Sequence, residues 1–392
     1  MPKIARIEHI HGDAGFRRAC FLKFTTDDGI VGWSEYSEHT GTAGVTGVIA
    51  ALGELLIGMD ALAVDQVAAF LRARTIQAGG GVNQHAIAAL TNALLDIKGK
   101  ALGVPVHSLF GGPYRARLPL YWSHCGTYRV RHAGLFDAPP LRNFDDVARL
   151  GEEVKRRGFR ALKTGLLAFD GKRFSNFSPA FAHTPGWPEV NVDRGVLATL
   201  ARVLTAFREG AGPDVALMLD VNFHFKTEGF LAVARTVEPF DLLWLELDTF
   251  DAQALARIRT AARCPIASCE ALFGRRGLRP FLEAGAADVA IIDVTWNGYL
   301  EAMKMADLAE TYEVNVAPHN YCGGLLGDVI SAHFAATVPN LRIVEHDVDD
   351  VPWKAEFLTS PPVIERGEMI VPQGPGWGTD VNEAAVRAHP PK

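Results

Sequence analysis

A chain of 392 residues with 48% hydrophobic and 21% charged residues has the composition of an ordinary globular fold and is too long for one small core. A net charge of −6 offers no basic surface for nucleic acid, so an anionic substrate would have to be held locally, by a metal or by a few Lys and Arg. No apolar run reaches the roughly 20 residues of a membrane span, and the start MPKIARIEHIHG lacks an apolar segment of signal-peptide length.

The expectation is a cytoplasmic protein with no nucleic-acid or membrane partner. The five cysteines (Cys20, Cys125, Cys264, Cys269, Cys322) form neither a C-x-x-C pair nor a zinc pattern. They read as free thiols, and Cys125 and Cys322 as small buried hydrophobes.

Residues 1–35 alternate and are rich in β-branched and aromatic residues. The turn Asp27-Asp28-Gly29 between CFLKF and IVGWSEY predicts an antiparallel hairpin. Over 44–110, apolar residues recur at helical spacing, as in ALAVDQVAAFLRAR and HAIAALTNALLDIKGKAL. Gly111-Gly112-Pro113 breaks the pattern and marks a boundary, giving a first unit of residues 1–115.

From 116 onward, strands are predicted near 118–122, 159–164, 216–221, 242–247, 265–269, 288–293, 314–318 and 341–345. Helical stretches such as FDDVARLGEEVKRRG and VLATLARVLTAFREG separate most of them. Eight strands alternating with helices predict an α/β fold, a parallel (β/α) barrel over 116–352. The segment 166–193 breaks the rhythm. Its length and its four Phe and one Trp predict a lid or substrate wall on the C-terminal face, with Lys172 and Arg173 as solvated charges. The Pro- and Gly-rich tail, 353–392, predicts a strand pair packing back on the first unit.

Three acids close apolar runs: Asp220 in LMLDVNFHF, Glu246 in LLWLELDTF and Glu270 in PIASCEALF. Their spacings, 246 − 220 = 26 and 270 − 246 = 24, are near the roughly 30 residues of one strand–helix–strand unit. In a parallel barrel the three meet at one rim, where they would repel and take up protons unless a cation sat among them. All-oxygen ligation suits a hard divalent ion, Mg²⁺ first. Lys163 ends FRALK, Asp293 lies in AIIDV, His319 ends NVAPH and Glu345 ends LRIVE. In a barrel all face the same mouth, where active sites of this fold sit.

The segment AIAALTNALLDIKGKALGVPVHSLFGG, the acids Asp220, Glu246 and Glu270, the pair Asp293 and His319, and Glu345 occur in order at matching spacing. With them the chain resembles the enolase superfamily, and within it the mandelate racemase-like sugar-acid dehydratases. The resemblance implies a modified (β/α)7β-type barrel over 116–352 and an α+β capping domain, 1–115, completed by 353–392.

It also implies Mg²⁺ held by Asp220, Glu246 and Glu270 on the carboxylate of a sugar acid, with His319 as the base for the α-proton and Asp293 fixing its tautomer. Glu345 would donate a hydrogen bond to the developing oxyanion and so be protonated or share a proton in the complex. Lys163 itself reads as a contact to the substrate carboxylate, a proton donor or part of a salt-bridge network. Dehydration of an aldonate or aldarate to a 2-keto-3-deoxy acid is the implied reaction. The alternatives are a cycloisomerase, epimerase or racemase of a hydroxy acid or sugar lactone, or a barrel that has lost catalysis. A homo-oligomer is also implied.

Departures from the family pattern narrow the reaction. Lys163-Thr164-Gly165 replaces the usual Lys-x-Lys, which removes one of the two bases of racemisation. Asn222 stands where dehydratases lacking that Lys place a His, and His224 lies two residues on, pointing the same way as Asp220 if the strand continues. Asn92 replaces a usual Asp in the cap signature, and the Gly-Gly after the sixth strand becomes Trp296-Asn297-Gly298. Asn222, His224, Tyr36 and His124, with Tyr128, are the candidate substrate contacts.

Overall fold

The computed structural model describes residues 1–181, 192–321 and 323–391. Alternating apolar residues fold the N-terminal stretch into three antiparallel strands, β1 (Ile4–Asp13), β2 (Arg18–Thr26) and β3 (Val31–Tyr36), in that spatial order. The expected hairpin is β2–β3, with Cys20 opposite Tyr36. Helices α1 (Val45–Glu54), α2 (Val64–Arg74) and α3 (Gly81–Leu102) follow. Helix α3 packs tightly on β3 because Gly32 has no side chain. A Cβ there would lie 2.5 Å from the Ala93 carbonyl oxygen and from Ile97 Cγ1.

The alternating region begins with β4 (Arg117–Trp122), α4 (Thr127–Arg131), α5 (Phe144–Arg156) and β5 (Ala161–Thr164). A small hairpin, β6 (Leu167–Phe169) and β7 (Phe174–Asn176), comes next, then α6 (Arg194–Ala211). Four strand–helix units succeed it: β8 (Ala216–Asp220) with α7 (Thr227–Val237), β9 (Trp244–Glu246) with α8 (Ala252–Ala261), β10 (Ile266–Ser268) with α9 (Gly274–Glu283), and β11 (Val289–Asp293) with α10 (Val294–Asn297) and α11 (Tyr299–Thr311). The last barrel elements are β12 (Asn315–His319), α12 (Leu325–Thr337) and β13 (Val344–His346).

Strands β4, β5 and β8–β13 coincide with the eight predicted segments. They pair in parallel in the order β12-β11-β10-β9-β8-β5-β4, and β13 pairs with β4. Two bonds flanking Val316, to Asn340 and from Arg342, close the remaining gap between β12 and β13. The barrel is filled by its own cluster, in which the large Tyr121 and Trp244 sit among Ala161, Ala267 and Ala317. Large against small is how a closed barrel packs its interior.

The expectation for the tail changes, and the long segment and α12 gain detail. The long segment after β5 is a hairpin where it is described. Phe169 and Phe174 pack on Phe144 at 5.0 Å between ring centres, and Lys172 and Arg173 are exposed at the tip. Its remainder, 182–191, lies outside the described residues, as does Cys322.

The tail strand pair, β14 (Ile364–Glu365) and β15 (Glu368–Ile370), does not pack on the first unit. It pairs antiparallel with the start of β4, Met369 opposite Leu118. The link to the first unit is made instead by Trp377, whose indole N–H donates to the Trp33 carbonyl at 2.9 Å, and by α13 (Glu383–Ala388) against β1. Finally, α12 is helical although it shows no polar face: all 13 of its residues are buried. Among the described residues no helix is long and apolar enough to cross a membrane.

Candidate active site

Parallel register decides which side chains share the rim. Asp220 is paired opposite Glu246 across β8 and β9, and Asp293 opposite His319 across β11 and β12. Glu270 follows β10 by two residues, after Cys269, which takes the left-handed φ of 91°. Glu345 lies in β13, next to β4.

Lys163, on β5, stands at the centre of the acids. Its Nζ is 3.0 Å from both Glu246 carboxylate oxygens, 3.2 Å from Glu345 Oε1 and 3.7 Å from Asp220 Oδ2. Burial alone would drive its proton off, but Glu246, Glu345 and Asp220 outweigh burial and hold Lys163 charged. Trp244 Nε1 donates to Glu246 at 2.9 Å.

His319 bridges the two halves of the rim. Its Nδ1 is 2.7 Å from Asp293 Oδ2, and its Nε2 is 3.2 Å from Glu270 Oε2. Asp293 cannot turn away, because its Oδ1 accepts from the Thr295 N–H and hydroxyl, both at 2.7 Å, and from the Trp296 N–H at 2.9 Å. Burial disfavours the imidazolium, yet the charges of Glu270 and Glu345 and the bond to Asp293 raise the His319 pKa well above its ordinary value.

The expectation for Glu345 concerns the substrate complex; in this structure its carboxylate is an acceptor. Its carboxylate accepts from the Ser123 hydroxyl at 2.6 Å and from the Asn320 N–H at 2.8 Å, besides its ion pair with Lys163. Burial would raise its pKa, but Lys163, His319 and His124 pull it far below the carboxylate range. Glu345 is therefore ionised and accepts hydrogen bonds in this state of the site.

The candidate substrate contacts divide. Asn222, at φ 44°, donates its N–H to Asp220 Oδ1 at 2.8 Å and its amide to Glu270 Oε1 at 3.4 Å, so it ties two of the acids together. The same φ ends the strand alternation, and His224 turns instead toward Ala180 and Phe181 of the lid segment. His124, at φ 47°, pairs with Asp347 at 2.8 Å and stacks on Tyr128 at 4.2 Å. Tyr36 is not brought to the carboxylates. Its hydroxyl is held by His9, His11 and Thr46 inside the first unit.

Sequence reasoning missed several residues of this chamber. Trp296 stands edge-on to His319 at 5.0 Å, and His85 lies 5.1 Å from Trp296. His85 Nδ1, Trp296 Nε1 and His39 Nε2 are buried with no hydrogen-bond partner among the described residues. Burial pushes His85 down to about 4, so it is neutral. Asp248 was missed too, although Glu246-Leu247-Asp248 repeats an acid at period two. His39 and His85 had no local signal, since they come from a different unit of the chain, whereas Trp296 stands in the altered segment after the sixth strand.

The donor set suits a hard divalent cation. Burial, with Asp220, Glu270 and Glu345 nearby, pushes Glu246 up to about 8 even against Lys163. Asp220 is also raised by burial, and Asp248 well above its usual range by burial and by Glu270, Glu246 and Asp220. Lys163 and His319 thus do not offset all the charge these acids would carry when ionised. Among the described residues no three His, Cys, Asp and Glu side chains are arranged to hold a metal as they stand. Glu246 is turned onto Lys163 and Glu270 onto His319, which keeps their oxygens from converging.

Comparison with known proteins agrees with this architecture. Residues 146–385 match the family described as Enolase C-terminal domain-like, and residues 11–111 the Mandelate racemase / muconate lactonizing enzyme, N-terminal domain. A D-galactonate dehydratase of Ralstonia nicotianae is 30% identical, over 94% of this chain and 90% of that protein. A D-galactarolactone cycloisomerase of Agrobacterium fabrum is 29% identical, over 94% and 91%. A solved Burkholderia xenovorans structure, provisionally named L-alanine-DL-glutamate epimerase and bound to magnesium and fumarate, is 47% identical with a TM-score of 0.96, over 100% of this chain and 96% of that one. The chain belongs to the enolase superfamily, in its mandelate racemase-like group.

Proposed function

We propose that this protein is a Mg²⁺-dependent dehydratase that converts a sugar acid, an aldonate or aldarate, to a 2-keto-3-deoxy acid. The observation that carries the reading is the 2.7 Å bond between His319 Nδ1 and Asp293 Oδ2 on the rim that bears Asp220, Glu246 and Glu270, with Gly165 where a second lysine base would stand. Asp220, Glu246 and Glu270 would hold the Mg²⁺, whose positive charge would favour the negative charge that develops on the substrate as the α-proton leaves.

His319 takes the α-proton at Nε2, while Asp293 retains the Nδ1–H and favours the positive ring that results. The ionised Glu345 holds charged Lys163 at the rim, where it meets the substrate carboxylate. As the C–O bond at the β-carbon breaks, the proton on His319 passes to the departing hydroxyl, which leaves as water. The enol that remains rearranges to the keto acid. The unpartnered nitrogens of His85, His39 and Trp296 suit the hydroxyls of a sugar acid.

A second reading, epimerisation or cycloisomerisation, is favoured by the 47% identical neighbour named for an epimerase and by Lys163, which puts a second proton-bearing group at the rim. A panel of aldonates and aldarates incubated with Mg²⁺ tests the proposal. Formation of a 2-keto acid from at least one member, lost when the metal is chelated, is the expected result. A panel without any such product contradicts it.

A further inference from the structure

Asp248 is a carboxylate beside Asp220, Glu246 and Glu270, and the reaction above leaves it unused. It is 4% exposed and staples together the turns beside it. Its main-chain N–H donates to the Asn222 carbonyl at 3.1 Å, in the turn after Asp220. Its Oδ1 accepts from the Ser268 hydroxyl at 3.1 Å and the Cys269 N–H at 3.0 Å, in the turn that presents Glu270. Both turns contain a residue with a side chain in the left-handed region, Asn222 at φ 44° and Cys269 at φ 91°. Such conformations are strained for a residue with a side chain and persist where their surroundings hold them.

Holding the turns takes only one carboxylate oxygen, and an asparagine or serine would do it without charge. The other oxygen, Oδ2, is buried and has no hydrogen-bond partner. A buried acceptor left unsatisfied is expensive, and a charged one more so. The charges that act on it most strongly are those of Glu270, Glu246 and Asp220.

We infer that Asp248 is a positioning residue of the cation centre, with Oδ1 fixing the turn that delivers Glu270 and Oδ2 turned to the shell of the bound divalent ion. Groups just outside the ligands orient them and tune affinity, and Mg²⁺ keeps waters that need acceptors. This rests on the assignment of Mg²⁺ to Asp220, Glu246 and Glu270. In the metal-free protein Oδ2 lies buried without a partner, whereas in the loaded protein the cation would meet it.

The test uses the full chain stripped by chelation, with Mg²⁺ titrated calorimetrically and the metal-free melting temperature recorded. Asp248→Asn keeps an acceptor for the Cys269 turn and removes the charge. It should weaken Mg²⁺ binding about 10–100-fold and melt above the wild type when metal-free. Asp248→Ser carries the same affinity expectation and serves if the Asn variant does not fold. A role confined to the turn would leave affinity unchanged and the melting temperature equal or lower. Variants that bind Mg²⁺ as tightly as wild type overturn the inference and leave the metal assignment standing. A wild type that binds no Mg²⁺ overturns both.

Discussion

His319 and Asp293 face each other across in-register strands, Nδ1 2.7 Å from Oδ2, with the carboxylate pinned by three further donors from Thr295 and Trp296. The far ring nitrogen is left toward Glu270 and the reaction rim. Replacing His319 with Asn should therefore lower α-proton exchange by about 10²–10⁴-fold and leave Mg²⁺ affinity within a few fold. Exchange is measured by deuterium uptake into substrate, and wild-type uptake in the variant would reject His319 as the base.

Metal-free, the rim holds protons that a cation displaces. Glu246 is pushed up to about 8 by burial, with Lys163 opposing, and His319 is raised well above its ordinary value by its carboxylate neighbours. Adding Mg²⁺ at pH 7 should release protons into weakly buffered solution. Calorimetry in two buffers of different ionisation enthalpy reads the number, and a heat independent of buffer would contradict the expectation.

The first unit is clasped to the barrel by Glu35, whose carboxylate accepts the Gly324 N–H at 2.5 Å and the Gly327 N–H at 2.8 Å at the start of α12. Burial raises this acid from 4.5 to about 7, against those two donors. Between pH 4.5 and 7 the folded state then binds more protons than the unfolded state, so this group's contribution to stability falls as pH rises. The stability of wild type relative to Glu35→Gln should drop by up to about 3 kcal/mol across that window. Parallel stability curves in denaturant at the two ends would exclude the effect.

Asn92 makes the second clasp. Its amide donates to the Val294 carbonyl at 3.2 Å and its Oδ1 accepts the Tyr299 N–H at 2.9 Å, just beyond Asp293. Asn92→Ala strands two buried backbone groups and should cost about 2–4 kcal/mol, read from denaturant midpoints. A loss below about 0.5 kcal/mol would show that other contacts carry the docking.

The barrel was legible because its strands are short apolar runs with helices between them, and the rim acids because each closes such a run. The residues that escaped did so for physical reasons. Helix α12 is buried on every side, so it has no polar face and no 3.6-residue period to read. His224 was expected to point with Asp220, but Asn222 at φ 44° breaks the alternation on which that reasoning depends. Tyr36 ends its strand as expected, yet His9 and His11 from the neighbouring strand take its hydroxyl, a contact set by pairing between distant segments. Nothing local to LRIVE shows that Glu345 is held by Ser123 and Asn320, which follow β4 and β12 in distant parts of the chain.

The most direct test is the mass of the product that the wild-type enzyme forms with Mg²⁺ from the sugar acid it accepts best. The expected product is lighter than the substrate by one water and is absent with His319→Asn. A product of the same mass as its substrate, formed at full rate with no 2-keto acid, would contradict one-base elimination and assign the site to isomerisation.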